Sequence, residues 1–261
     1  MALQDRPELF DMELRALRRD RAARTGPELF LLERAFADCL DRIALLHRGF
    51  ENALLIGCPD ANWPERLGDL VKDVTSCDPG ALFAAAVDGR TIIEDAWDAP
   101  SGAYDLVLAL GTLDSVNDLP VALRLIRHAM RADALLIGAF SGGDTLPQLR
   151  SAMRAADALT GTAAPHVHPR IEAAALAPLL ADAGFSNPVV DIDRVPVSYR
   201  SLDRLIADLR SMAATNVLRS RPRFIGKAGR AAAAASFAQA GDGSRTTEIF
   251  ELIHFAAWTP A

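Results

Sequence analysis

Hydrophobic positions recur along this chain with two different periods. From about Glu8 to His47, Leu9, Phe10, Leu14 and Leu17, and then Leu32, Phe36, Leu40 and Ile43, fall at helical spacing. Gly26-Pro27 divides that stretch into two helices. From Ala53 onward short apolar runs alternate with helix-like stretches. The runs are Ala53–Ile56, Val71–Cys77, Thr91–Ile93, Tyr104–Leu110, Ala134–Phe140, Val189–Ile192 and about Glu248–Trp258. Leu119, Ala122, Leu123, Ile126, Ala129 and Met130 form an amphipathic helical pattern between two of them. Such alternation predicts an α/β protein, a mostly parallel sheet covered by helices on both faces. Ligands of such sheets bind beyond the C-terminal strand ends.

Three further helices are expected, over Leu146–Leu159, within Tyr199–Arg223 and over the alanine-rich Ala231–Ala240. The pattern divides into an N-terminal helical extension, 1–50, and a main domain, 51–261. Helical cover is expected at about 142–170 and 199–240.

The 261 residues are half hydrophobic, enough for a full core. A net charge of −6 argues against nucleic acid as the main partner. Cys39, Cys58 and Cys77 are odd in number and form no CxxC pair, which favours a reducing compartment over a disulfide framework. No apolar run approaches the roughly 18 residues that span a bilayer. The arginine-rich N-terminus also carries Asp5, Glu8, Asp11, Glu13 and Asp20, unlike an acid-poor transit peptide. The expectation is a soluble protein, cytoplasmic, or in the mitochondrial matrix if its source is eukaryotic.

Candidate chemistry gathers at the predicted strand ends. Gly57 closes the first strand, where a glycine permits a tight turn and close approach of a ligand. Asp78, about 20 residues on, ends the second strand, where a carboxylate can accept two hydrogen bonds from a ribose diol. Asp95 ends the third and could accept from an adenine amino group. Each acid could equally be an ordinary strand-end or helix-capping aspartate. Their order on one sheet edge favours the nucleoside reading.

The stretch DAWDAPSGAYDLVLAL resembles the second and third cofactor motifs of class I S-adenosylmethionine (SAM) dependent methyltransferases. That resemblance implies a Rossmann-like, seven-stranded, mostly parallel sheet with an antiparallel last strand. It implies SAM as cofactor, with Gly57 at its methionine, Asp78 at its ribose and Asp95 at its adenine. A narrower similarity runs through Phe10-Asp11, LRRDRAA (17–23), VNDLP (116–120), GGDTL (142–146) with Leu149-Arg150, and Pro165–Pro169. It continues through Asp193, Tyr199, Asp208-Leu209-Arg210, Met212 and Thr215-Asn216. These residues are similar to the methyltransferase-like arginine hydroxylases that act in assembly of respiratory complex I, and less closely to the malonyl-carrier-protein methyltransferases of the biotin pathway. The resemblance implies a protein acceptor or complex I subunit as partner.

The sequence departs from that family at the first loop. Pro59 and Ala61 stand where glycines are expected, Leu55 replaces a strand acid, and Asp114-Ser115 replaces an aromatic or histidine pair. Proline lacks a donor and alanine adds a methyl group where a cofactor would approach. Three readings stay open: a SAM-binding methyltransferase, an arginine hydroxylase, and a degenerate fold that has lost the cofactor and serves as a binding or assembly protein. Asp114 and Asp144 are the candidate catalytic acids. Asp144 could contact an acceptor guanidinium or simply cap the helix that follows. His128 reads as a helix-surface histidine. His166 and His168 lack a third ligand at metal spacing, so no metal site is expected. Arg15, Arg18, Arg19, Arg21 and Arg24 form either a solvated helix face or a clamp for an acidic substrate or a peripheral membrane surface.

Overall fold

The structure, a computed structural model, describes residues 8–161, 163–221 and 224–261. Residues 1–7 of the expected N-terminal extension, Thr162, Pro222 and Arg223 lie outside the described residues. Seven strands are present: β1 (Phe50–Ile56), β2 (Val71–Asp78), β3 (Arg90–Thr91), β4 (Tyr104–Leu110), β5 (Met130–Ser141), β6 (Ser186–Tyr199) and β7 (Thr246–Trp258). They form one sheet in the order β3-β2-β1-β4-β5-β7-β6. The pairs among β1 to β5 are parallel, and β7 runs antiparallel to both β5 and β6. This is the Rossmann-like methyltransferase architecture that the sequence resemblance implied.

The central strands read as unbroken apolar runs because both faces are buried. Leu54 and Ile56 of β1 and Val107 and Ala109 of β4 point to one face. There α5 (Leu119–Ala129) and α7 (Ala173–Asp182) cover them through Leu123, Ile126, Leu176 and Leu180. Ala53, Leu55, Leu106 and Leu108 point to the other. α2 (Phe30–Leu45) and α3 (Trp63–Gly68) close that face, with Phe36 stacked on Trp63 at 4.4 Å. α4 (Ala81–Ala86) follows β2.

A third cluster lies over the β6–β7 end of the sheet. α6 (Pro147–Ala158), α8 (Leu202–Ser211) and α9 (Gly226–Gln239) pack Ala152, Leu205 and Phe237 around Tyr199 and Phe250. α8 ends at Ser211, within the Tyr199–Arg223 segment where a helix was expected. Ala213 has a positive φ of 57°, and the following segment runs extended toward the N-terminus, where Leu218 bridges Phe10. β6 is far longer than the Val189–Ile192 run. Beyond Ile192 its outward positions, Arg194, Pro196 and Ser198, are polar or proline, so that part of the strand carried little hydrophobic signal. α7 was not anticipated, because Pro178 interrupts its Leu176/Leu180 repeat.

α1 (Met12–Thr25) is capped by Asp11, whose carboxylate accepts from Leu14 N–H at 2.9 Å. Its buried positions are Arg15, Arg19 and Ala22, whereas Leu17 is 60% exposed. The helix is therefore turned relative to the apolar stripe read from the sequence, and arginines take the inward face.

Asp144 does not cap α6. The residue preceding that helix is Leu146, at φ 60°, and the helix's first free N–H groups are met from β7. The fully buried Glu248 accepts from Gln148 N–H at 3.1 Å and Leu149 N–H at 2.8 Å. Replacing Glu248 by Ala strands two buried donors and should cost about 1–3 kcal/mol in urea denaturation. Glu248→Gln retains an acceptor and should lose less.

Candidate functional site

The C-terminal ends of β1, β2 and β4 form the edge where the sequence located a nucleoside. Gly57 sits there at φ 83°, and a side chain at its position would fall 2.1 Å from Leu110 O, so only glycine fits beside β4. Its N–H donates to Cys77 O at 2.8 Å, and the N–H of Cys58 donates to Asp78 Oδ2 at 2.9 Å. Pro59 has no N–H. The first three residues after β1 thus offer no free backbone donor. Cys58 is buried, and burial pushes its thiol up to about 12. Trp63, fully buried, pins the end of the loop through its Nε1–H to Glu33 at 2.9 Å.

Asp78 is fully buried and its carboxylate is saturated. Arg19 donates from Nε to Oδ1 at 2.7 Å and from Nη2 to Oδ2 at 2.5 Å. Gly80 N–H donates to Oδ1 at 2.7 Å, alongside Cys58 N–H on Oδ2. About four acceptor sites is the full capacity of a carboxylate. α1 reaches this depth because residue 80 is glycine: a Cβ there would lie 2.7 Å from Arg19 Cβ.

One helical turn earlier, Arg15 repeats the arrangement. Its Nη1 and Nη2 donate to Glu94 at 2.8 and 2.7 Å, and Nη2 also donates to Thr112 O at 2.7 Å. Glu94, fully buried, lies in the turn beyond β3, which ends at Thr91 rather than running on to Asp95. Asp95, the residue chosen from sequence, lies further out and accepts from Asp118 N–H at the start of α5 at 2.8 Å. Sequence reasoning missed Glu94 because the adjacent acids differ only in which side the backbone turns inward. It missed the roles of Arg15 and Arg19 because five arginines read as one cluster. Their i, i+4 spacing was the available signal.

Beyond β4 and β5 lies a cavity of about 80 Å³, lined by Arg15, Arg19, Asp114, Ser141, His168 and Arg170 among others. Asp114 reaches it but pairs with the buried Arg170, whose Nε has no acceptor. Burial pulls Arg170 down to about 10. Asp144 is outside the cavity. Its side chain is 70% exposed and pairs with Arg194 of β6 at 3.4 Å. His128 is exposed near the end of α5. His166 Nε2 lies 2.8 Å from Asp157 Oδ1. His168 accepts from Val217 N–H at 2.8 Å.

These residues do not fit SAM. Asp78 has no free acceptor, the first three residues of the loop have no free donor, and guanidinium groups stand against both inner acids. The cavity is also small beside the roughly 300–1,000 Å³ of small-molecule pockets.

The fold is of the methyltransferase type, and residues 30–190 match the family model described as a methyltransferase domain. The chain belongs to that family. It is 30% identical over 243 residues to the arginine-hydroxylase NDUFAF5, mitochondrial, of Danio rerio, covering 88% of this chain and 75% of the relative. It is 32% identical over 176 residues to the malonyl-[acyl-carrier protein] O-methyltransferase of Xylella fastidiosa, covering 66% of this chain and 56% of the relative. Among solved structures, the YcgJ protein of Bacillus subtilis superposes with a TM-score of 0.58 at 10% identity, over 84% of this chain and 97% of that one. The N-methyltransferase NodS of Bradyrhizobium japonicum, in complex with S-adenosylhomocysteine, gives 0.50 at 14% identity, over 96% of this chain and all of NodS. Among the described residues no helix is long and apolar enough to cross a membrane.

His168 yields a pH signature. Burial first, then Arg18, Arg15 and Arg150, hold its pKa down at about 4 against an ordinary 6.5. Its neutral form therefore contributes stability that is whole above pH 6.5 and is lost as pH falls through about 4. His168→Gln keeps an acceptor for Val217 N–H without titrating. Between about pH 6.5 and 5 its melting temperature should fall less than that of the unaltered chain.

Proposed function

We propose that this chain is a binding protein built on the methyltransferase fold, acting in assembly of respiratory complex I subunits without SAM-dependent transfer. The observation that carries this reading is the saturated Asp78 carboxylate, with Arg19 where a ribose would have to stand. The partner side of the proposal comes from the similarity to proteins named arginine-hydroxylase NDUFAF5, which extends over most of the chain.

Two features weigh against an acceptor arginine in the same pocket. A guanidinium needs a free carboxylate, and Asp114 is already neutralised by Arg170. Asp144 faces solvent beside Arg194. The candidate acids Asp114 and Asp144 therefore supply no open carboxylate at the cavity.

Opening the site would require α1 to withdraw two guanidinium groups from buried acids. Breaking one buried pair typically costs about 3–5 kcal/mol. Both costs together, subtracted from a micromolar cofactor affinity of about −8 kcal/mol, leave about −2 kcal/mol at best, weaker than millimolar. Calorimetric titration with SAM and S-adenosylhomocysteine should show no saturable binding below millimolar concentration. Micromolar binding of either would overturn the reading and return the chain to the catalytic members of its family.

A further inference from the structure

α1 carries a second set of arginines that do not face the sheet. Arg18 donates to Thr215 Oγ1, but its Nε has no acceptor. Burial, together with Arg21, Arg221 and Arg210, pulls its pKa down. Arg221 has Asp11 as partner. Among the described residues the structure records no ion pair for Arg18, Arg21 or Arg210. Like charges gathered without a counterion destabilise the free protein and favour an anionic partner.

Arg210 is also the corner of a groove of about 500 Å³ bounded by α6, α8 and α9. Met153, Ile206, Ile225 and Ala233 give it an apolar lining. Phe224 stands at its edge, 93% exposed. Of the three rim cations, Arg230 is held by Asp203 at 3.0 Å, whereas Arg210 and Lys227 have no recorded carboxylate partner. Asp203, Ile206 and Arg210 share one flank of α8. Leu209 and Met212, on the other flank, line the cavity described above.

We propose that this groove docks an acidic amphipathic helix of a partner protein. Its apolar side chains at i and i+3 or i+4 would lie against Met153, Ile206 and Phe224, and its carboxylates against Arg210 and Lys227. A concave apolar floor with cations on its rim matches such a helix in shape and charge. An anionic bilayer is the poorer match: it meets the field of a whole chain of net charge −6, whereas a short segment feels only charges within about a Debye length, roughly 8–10 Å. The inference names the partner chemistry of the binding protein proposed above and rests on that reading for its biological setting.

The test is fluorescence anisotropy with a labelled leucine–glutamate amphipathic helix of about four turns. The same peptide with every glutamate replaced by lysine, and vesicles of phosphatidylglycerol with phosphatidylcholine, serve as comparisons. The acidic peptide should bind saturably and weaken with salt. The double variant Arg210→Glu with Lys227→Glu alters only surface positions; with an unchanged melting temperature, it should bind at least about tenfold more weakly. Phe224→Ala should weaken binding independently of salt. Equal binding of the lysine peptide, no effect of the charge reversals, or binding to vesicles without binding to the peptide would each overturn the proposal. Its failure is separable from that of the functional reading, since SAM titration reports on Asp78 and Glu94, and neither touches this groove.

Discussion

The paired guanidinium–carboxylate contacts of α1 set the arrangement of everything around them. Two charges of each sign lie inside the protein, where an unpartnered one costs several kcal/mol. Bidentate geometry and the backbone donors of Cys58 and Gly80 make the Arg19–Asp78 pair tolerable. Once those contacts form, α1 has one position and one rotation. Its start then pairs with the 217–219 segment, and Phe10 meets His168 edge-on at 5.3 Å. The small cavity is what remains between this helix, the sheet edge and α8.

The same scaffold that in structural neighbours holds S-adenosylhomocysteine here holds part of its own chain. Pro59 lacks a donor, Trp63 pins the loop into the core, and Arg15 and Arg19, one turn apart, answer Glu94 and Asp78. These partners are covalently tethered side chains, whose effective concentration no free ligand matches.

The sheet was legible because its central strands are buried on both faces and so read as continuous apolar runs. Leu54, Leu55, Leu106 and Val107 leave no ambiguity. The edge strand β6 was legible only at Val189–Ile192, since beyond it the outward residues Arg194, Pro196 and Ser198 are polar or proline. Gly57 and Asp78 were found from their spacing after strands, and they do stand together at one edge. Their occupant was not found, because hydrophobic patterning discards arginine, and an ion pair between residues 59 apart leaves no local trace. Asp95 neighbours the buried Glu94, and one step along the backbone reverses inside and outside.

The antiparallel strand β7 sits between β5 and β6, yet it is the last of the seven to be synthesised. Until it arrives, β6 has no neighbour in the sheet and β5 has an open edge. The first turn of α6 also lacks Glu248, about a hundred residues downstream. Completion of the fold therefore waits for β7, and closure of the sheet and ordering of its cover become a single late event. A nascent chain of this design leaves the β5 edge unpaired from its synthesis until β7 emerges, an interval in which that edge is open to wrong pairing.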